Sequence, residues 1–107
     1  MVKTVSKIQQ LKDLIAPLVT LERLKKLLDL GTTFFRIEYC LANGVFLRFD
    51  GSGNNFETIN VYLIIYHNSN EYSYHYGTYS FELFGYKYNE YNLVIDNEIL
   101  DAITLDY

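Results

Sequence analysis

The sequence predicts an α+β domain in which an N-terminal helical hairpin packs on a five- or six-stranded antiparallel β-sheet. Three observations carry that expectation. Apolar residues recur at helical spacing through residue 30, and after Gly31 the pattern changes to strict alternation. Nine of the eleven tyrosines then fall between Val61 and Ile95, a span without proline or tryptophan. At 107 residues, half of them apolar, the chain has single-domain size and globular composition. Residues 1–31 are assigned to the hairpin and residues 32–107 to the sheet.

The first helix is signalled by Ile8, Leu11, Leu14 and Ile15, with Thr4 or Ser6 available as N-cap. Pro17 disfavours helical backbone at Ala16 and removes a donor, so the helix should stop there. Thr20 as N-cap, Glu22 in the first turn, a stripe of Leu21, Leu24, Leu27 and Leu28, and Gly31 as terminator mark a second helix.

Beyond Gly31, Phe35, Ile37, Tyr39 and Leu41 alternate with Arg36, Glu38 and Cys40, and Val45, Leu47 and Phe49 alternate with Phe46, Arg48 and Asp50. A two-residue Asn43-Gly44 turn would set Tyr39 against Arg48 and Ile37 against Asp50. A three-residue loop with Gly44 in the left-handed conformation instead sets Leu41 against Val45, Tyr39 against Leu47 and Ile37 against Phe49. Glu38 then meets Arg48 and Arg36 meets Asp50, two opposite-charge pairs that make both arginines structural. Residues 51–55 read as a loop and match no phosphate-cradling pattern.

Ile59, Val61, Leu63 and Ile65 oppose Tyr62, Ile64 and Tyr66 on an interior strand covered on both sides. After a turn at residues 67–70, Tyr72, Tyr74 and Tyr76 share one face and Ser73 and His75 the other. Gly77 is read as closing that run, with a further strand carrying Tyr79, Phe81 and Leu83 and a bend at Gly85. Tyr86 and Tyr88 lead into residues 91–95. The tail admits a short helix after Asp96 or a last strand using Ile99, Ile103 and Leu105; its isoleucine and threonine content favours the strand.

The formal charge of −4 conceals an asymmetry. Residues 1–30 hold six Lys/Arg against three acids, whereas Arg36, Arg48 and Lys87 face ten acids in the remainder. The helices are therefore basic and the sheet acidic. The apolar runs are far shorter than the roughly 20 residues of a membrane span, and Gln9, Gln10, Lys12 and Asp13 interrupt any signal-peptide core. A cytoplasmic protein is expected.

A single cysteine, Cys40, excludes an internal disulfide and a cysteine-based zinc site. His67 and His75 raise a metal site completed by Glu57 or Glu71, or a two-histidine nuclease with phosphate held by Arg48 or Lys87. Their spacing is not that of a helical metal pair, and solvent-facing strand histidines are the simpler reading. No catalytic residue, metal or cofactor is expected.

Nine tyrosines in one sheet exceed the needs of a core this small, and exposed tyrosine gives large contact area at little rotamer cost. Base stacking would also require a basic track along the phosphates, which an acidic sheet does not offer. Direct nucleic-acid binding is thereby disfavoured. Carboxylates at Glu57, Glu71, Glu82, Glu90, Asp96, Glu98, Asp101 and Asp106 suit instead a basic groove on a protein that handles nucleic acid.

The bias toward Tyr, Asn, Ile, Phe and Lys, the small size and the acidic sheet behind basic helices resemble the inhibitor proteins of mobile elements in low-GC bacteria, such as phage-encoded anti-CRISPR proteins. Bacterial toxin-immunity proteins are similar to it to the same degree. The resemblance implies a non-enzymatic inhibitor in a bacterial cytoplasm, its partner a nuclease or other nucleic-acid-binding protein, with no membrane role. Tyr72, Tyr74, Tyr76, Tyr86 and Tyr88, with Glu71, Glu82 and Glu90, are the expected contact residues on the tyrosine-rich sheet. The alternatives are a sugar-binding module, a histidine-dependent nuclease and a homodimer that buries the tyrosines.

Overall fold

The computed structural model describes residues 6–28, 34–52, 58–82 and 85–105. Helix α1 (Lys7–Ile15) opens at Ser6, whose hydroxyl accepts the Gln9 N–H at 3.1 Å, and ends at Ala16 before Pro17. Helix α2 (Leu21–Leu28) opens at Thr20, whose Oγ1 accepts the Arg23 N–H at 3.2 Å. Both caps lie where serine and threonine were expected to supply them. The proposed terminator Gly31 falls outside the described residues.

Five strands follow: β1 (Phe34–Ala42), β2 (Val45–Ser52), β3 (Thr58–His67), β4 (Asn70–Glu82) and β5 (Gly85–Glu90). They pair in sequence order, each antiparallel to the next. In the first hairpin Tyr39 meets Leu47, Ile37 meets Phe49, Glu38 meets Arg48 and Arg36 meets Asp50, as charge and alternation require. Gly44 is left-handed, at φ 74°. The end of the hairpin departs from expectation: Val45 faces Ala42, and the register shifts between Cys40 and Ala42. The tight turn and the charge pairing coexist because a bulge at Leu41 absorbs the odd residue.

The expectation of a strand break at Gly77 is corrected. Residues 70–82 form one strand of 13 residues, and its register against β3 shifts where Tyr62 pairs with His75 and Val61 with Gly77. Tyr76 is the extra residue of this bulge. It reverses the parity of the strand, so Tyr72 and Tyr74 before it share a face with Tyr79 after it. This fusion of two expected strands leaves five.

The tail is also corrected. Residues 97–102 form helix α3 (Asn97–Ala102), not a strand. Glu98, Asp101 and Ala102 are poor strand formers, and the helix buries Ile99 while Ile103 is buried just beyond its end. Lys7 Nζ donates to the carbonyl oxygens of Leu100 (3.0 Å) and Ile103 (2.9 Å), placing a cation at the helix's carbonyl end.

One hydrophobic cluster joins these elements. Leu11 and Ile15 of α1, Leu24 and Leu27 of α2, and Leu93, Ile95, Ile99 and Ile103 of the C-terminal segment share it with Val45, Leu47, Phe49, Ile59, Val61, Leu63 and Ile65 of the sheet. Leu47, Phe49, Ile59, Val61 and Leu63 expose no surface; each such side chain contributes about 1.5–3 kcal/mol by burial. Two glycines admit rings to the same face. A Cβ at Gly51 would collide with the Phe35 ring, and one at Gly77 with the Tyr88 hydroxyl. No helix of the described residues is long and apolar enough to cross a membrane.

Candidate interaction surface

Parity along the strands puts Arg36 and Glu38 of β1, Phe46 and Arg48 of β2, Tyr62, Ile64 and Tyr66 of β3, and Glu71, Ser73 and His75 of β4 on the sheet's second face. None of these side chains belongs to the cluster that holds the helices' apolar residues. Ile64 is nevertheless fully buried there. Its neighbours on this face are Phe46 and Ser73 across the ladders and Tyr62 and Tyr66 along its own strand. Phe46 and Tyr66 meet edge to face at 5.7 Å, so rings rather than a helix shield the isoleucine.

Beside them runs an aromatic row. The His75 imidazole lies 4.8 Å from the Tyr62 ring, nearly parallel to it, and 4.8 Å from the Tyr91 ring. Thr78 Oγ1 donates to Asn60 Oδ1 at 3.0 Å and lies 3.0 Å from His75 Nε2. With its one proton given to Asn60, the threonine hydroxyl accepts from an Nε2–H tautomer of His75. The ring is thus held in place, with Tyr91 44% exposed beside it and Tyr66 46% exposed further along β3.

A charge network fixes the other half of the face. Arg48, only 9% exposed, donates through Nη2 to Glu38 Oε1 (3.2 Å) and Glu71 Oε1 (2.9 Å), and the Tyr66 hydroxyl donates to the same Glu71 oxygen at 2.9 Å. Arg36 holds Asp50 at 2.8 Å. Burial disfavours the Arg48 charge, but Glu71 and Glu38 outweigh it and hold the guanidinium above its ordinary value. The Tyr66 hydroxyl and then Arg48 hold the Glu71 carboxyl below the usual range. The same Tyr66–Glu71 hydrogen bond raises the Tyr66 phenol.

The expected contact residues separate into two groups. Tyr76 is 4% exposed and is a core residue, a correction to its expected role. Tyr72, Tyr74 and Tyr88 are half-buried against the core on the same side. Burial, followed by a hydrogen bond with Glu90, pushes the Tyr76 phenol well above its ordinary range; burial does the same for Tyr88 and, less strongly, for Tyr74. Tyr86 is exposed and stacks on Tyr79 at 5.1 Å. Of the three glutamates, Glu71 sits in the network, Glu90 is exposed at the end of β5, and Glu82 lies opposite Gly85.

Tyr62, Tyr66, His75 and Tyr91 were not among the expected contacts. The signal for them lies in the β3–β4 turn. Asn68 and Ser69 both have positive φ, 51° and 65°, as a two-residue hairpin turn requires. That turn sets Tyr72 against Ile65 and Tyr74 against Leu63. The tyrosines of β4 are thereby committed to the core, and the polar alternates to solvent.

The two histidines are not brought together. His67 pairs with Asn70 at the turn, whereas His75 pairs with Tyr62, five positions away along β3; at about 3.3 Å per residue that is about 16 Å. Among the described residues no three His, Cys, Asp or Glu side chains gather in a metal-binding group. The exposed Cys40 thiol lies 3.3 Å from the Ala42 carbonyl oxygen. Asp96, Glu98 and Asp101 lie elsewhere, exposed around α3, and form no ion pair among the described residues. No protein-family model, curated protein or solved structure matches the chain.

Proposed function

We propose that the chain is a non-enzymatic inhibitor that docks the second face of its sheet on a protein that handles nucleic acid. The observation that supports this reading is the aromatic row of Tyr62, His75 and Tyr91, with the exposed Tyr66 further along the same face, a face excluded from the core. Rings held in place by stacking and hydrogen bonds lose little entropy on binding and suit the centre of an interface. The exposed Glu90, next to Tyr91 in the chain, adds a carboxylate at the end of the row that favours a basic target. In this reading the two N-terminal helices form a hairpin that packs on the opposite face as support, and the protein works in a bacterial cytoplasm as a product of a phage or other mobile element. Glu71 and Glu90 keep the contact role expected of them, whereas Tyr72, Tyr74, Tyr76 and Tyr88 act by shaping the core.

The test is affinity capture on the immobilised chain from the lysate of a low-GC bacterium, with and without competing duplex DNA. The reading expects a nucleic-acid-binding protein to be retained and to be released by DNA or by raised salt. Retention indifferent to both, or of no such protein, overturns it.

A further inference from the structure

We propose that the outer edge of β1 pairs antiparallel with the same edge of a second copy of this chain, fusing two five-stranded sheets about a twofold axis at Ile37. Strand β1 stands at the end of the sheet and, among the described residues, pairs with β2 alone. It has nine residues and neither glycine nor proline, whereas the opposite edge, β5, has six and begins with Gly85. Its pairing with β2 is regular from Phe34 to Cys40, ahead of the bulge at Leu41, and such an edge is a template for another strand.

The side chains choose the register. In a twofold antiparallel pair, apolar face continues apolar face only if the axis passes through a residue. An axis at Ile37 sets Ile37 against its own copy, Phe35 against the second copy's Tyr39, and Arg36 against the second copy's Glu38. An axis at Arg36 or at Glu38 would instead oppose like charges. Arg36 and Glu38 keep 50% and 32% of their side-chain surface exposed although each already has a partner, so each has surface left for a second.

The pairing also extends what exists. Glu71, Arg48 and Glu38 already alternate across the sheet at 2.9 and 3.2 Å. The second copy's Arg36 and Asp50, themselves 2.8 Å apart, continue that alternation across the axis. The twofold gives the same row in reverse.

The test uses the intact chain and sedimentation equilibrium across the micromolar range, with circular dichroism to establish folding. The wild type is expected at twice its 12.6 kDa. Arg36→Glu alone and Glu38→Arg alone should each shift to monomer, because each opposes like charges across the axis. Mixed in equal amounts, the two variants should return to dimer. The carboxylate introduced at position 36 of one chain then meets the guanidinium introduced at position 38 of the other, and the remaining native Glu38 meets the remaining native Arg36. A wild-type monomer, single variants that remain dimeric, or folded variants that stay monomeric on mixing would each overturn the proposal.

Discussion

Gly77 and Tyr88 offer a test of whether the tyrosine-rich strands build the core. A Cβ at Gly77 would collide with the Tyr88 hydroxyl, approach its ring carbon to 2.6 Å and lie 2.8 Å from the Asn89 carbonyl oxygen. The first two contacts belong to a half-buried ring and the third to backbone, so relief requires the β4–β5 pair to shift. Overpacking of this kind costs about 1–3 kcal/mol, a Tm loss of roughly 4–8 °C per kcal/mol in a domain of about this size. The Tyr88 hydroxyl is buried with no hydrogen-bond partner among the described residues. Tyr88→Phe therefore removes an unsatisfied group and should be neutral or stabilising by about 1 kcal/mol. The double variant should be less destabilised than the sum of the single effects by about 1 kcal/mol, because the Asn89 contact persists. Urea unfolding of the four proteins measures this. A neutral Gly77→Ala, or strictly additive effects, would refute the packing of Tyr88 over Gly77.

Other expectations follow from the ionisable groups and caps. Glu71 is held below its ordinary value by Tyr66 and Arg48, so its contribution is present above the usual carboxylate pKa and lost as pH falls through its depressed one; Glu71→Gln should flatten that part of the acid limb in a stability–pH series. Burial raises Tyr76 and Tyr88 above the ordinary 10.0, so stability is full below that pH and falls above it, and phenolate absorbance should show these two ionising only with unfolding. Removing the two Lys7 hydrogen bonds by Lys7→Met should speed amide exchange across residues 97–102 while leaving the exchange of β3 unchanged.

The first hairpin was legible because two constraints coincided: its apolar alternation and its charge pairs admit one register. Each helix start was legible from its capping hydroxyl, Thr20 for α2 and one of Thr4 or Ser6 for α1, where the structure uses Ser6. The tyrosine faces were harder. Alternation showed that Tyr72, Tyr74 and Tyr76 share a side but not which side, and a side chain as amphipathic as tyrosine suits either. The bulge at Tyr76 decided the strand count, and nothing local in Tyr76-Gly77-Thr78 distinguishes a bulge from a break. The tail's end is tied to Lys7, more than ninety positions away, a contact that no window of sequence contains. The acidic sheet resolved into something finer: Glu38, Asp50 and Glu71 are paired with the two arginines Arg36 and Arg48, whereas among the described residues Asp96, Glu98 and Asp101 stay exposed around α3.

The most direct measurement of the central claim compares retention of the captured protein by three forms of the chain. Tyr62→Ala with Tyr91→Ala strips the aromatic row, whereas Leu21→Ser alters an exposed side chain on α2. Docking through the second face predicts that the paired tyrosine variant, shown to be folded, loses the partner while Leu21→Ser and the wild type keep it. Retention by the tyrosine variant, or loss on Leu21→Ser alone, would contradict it.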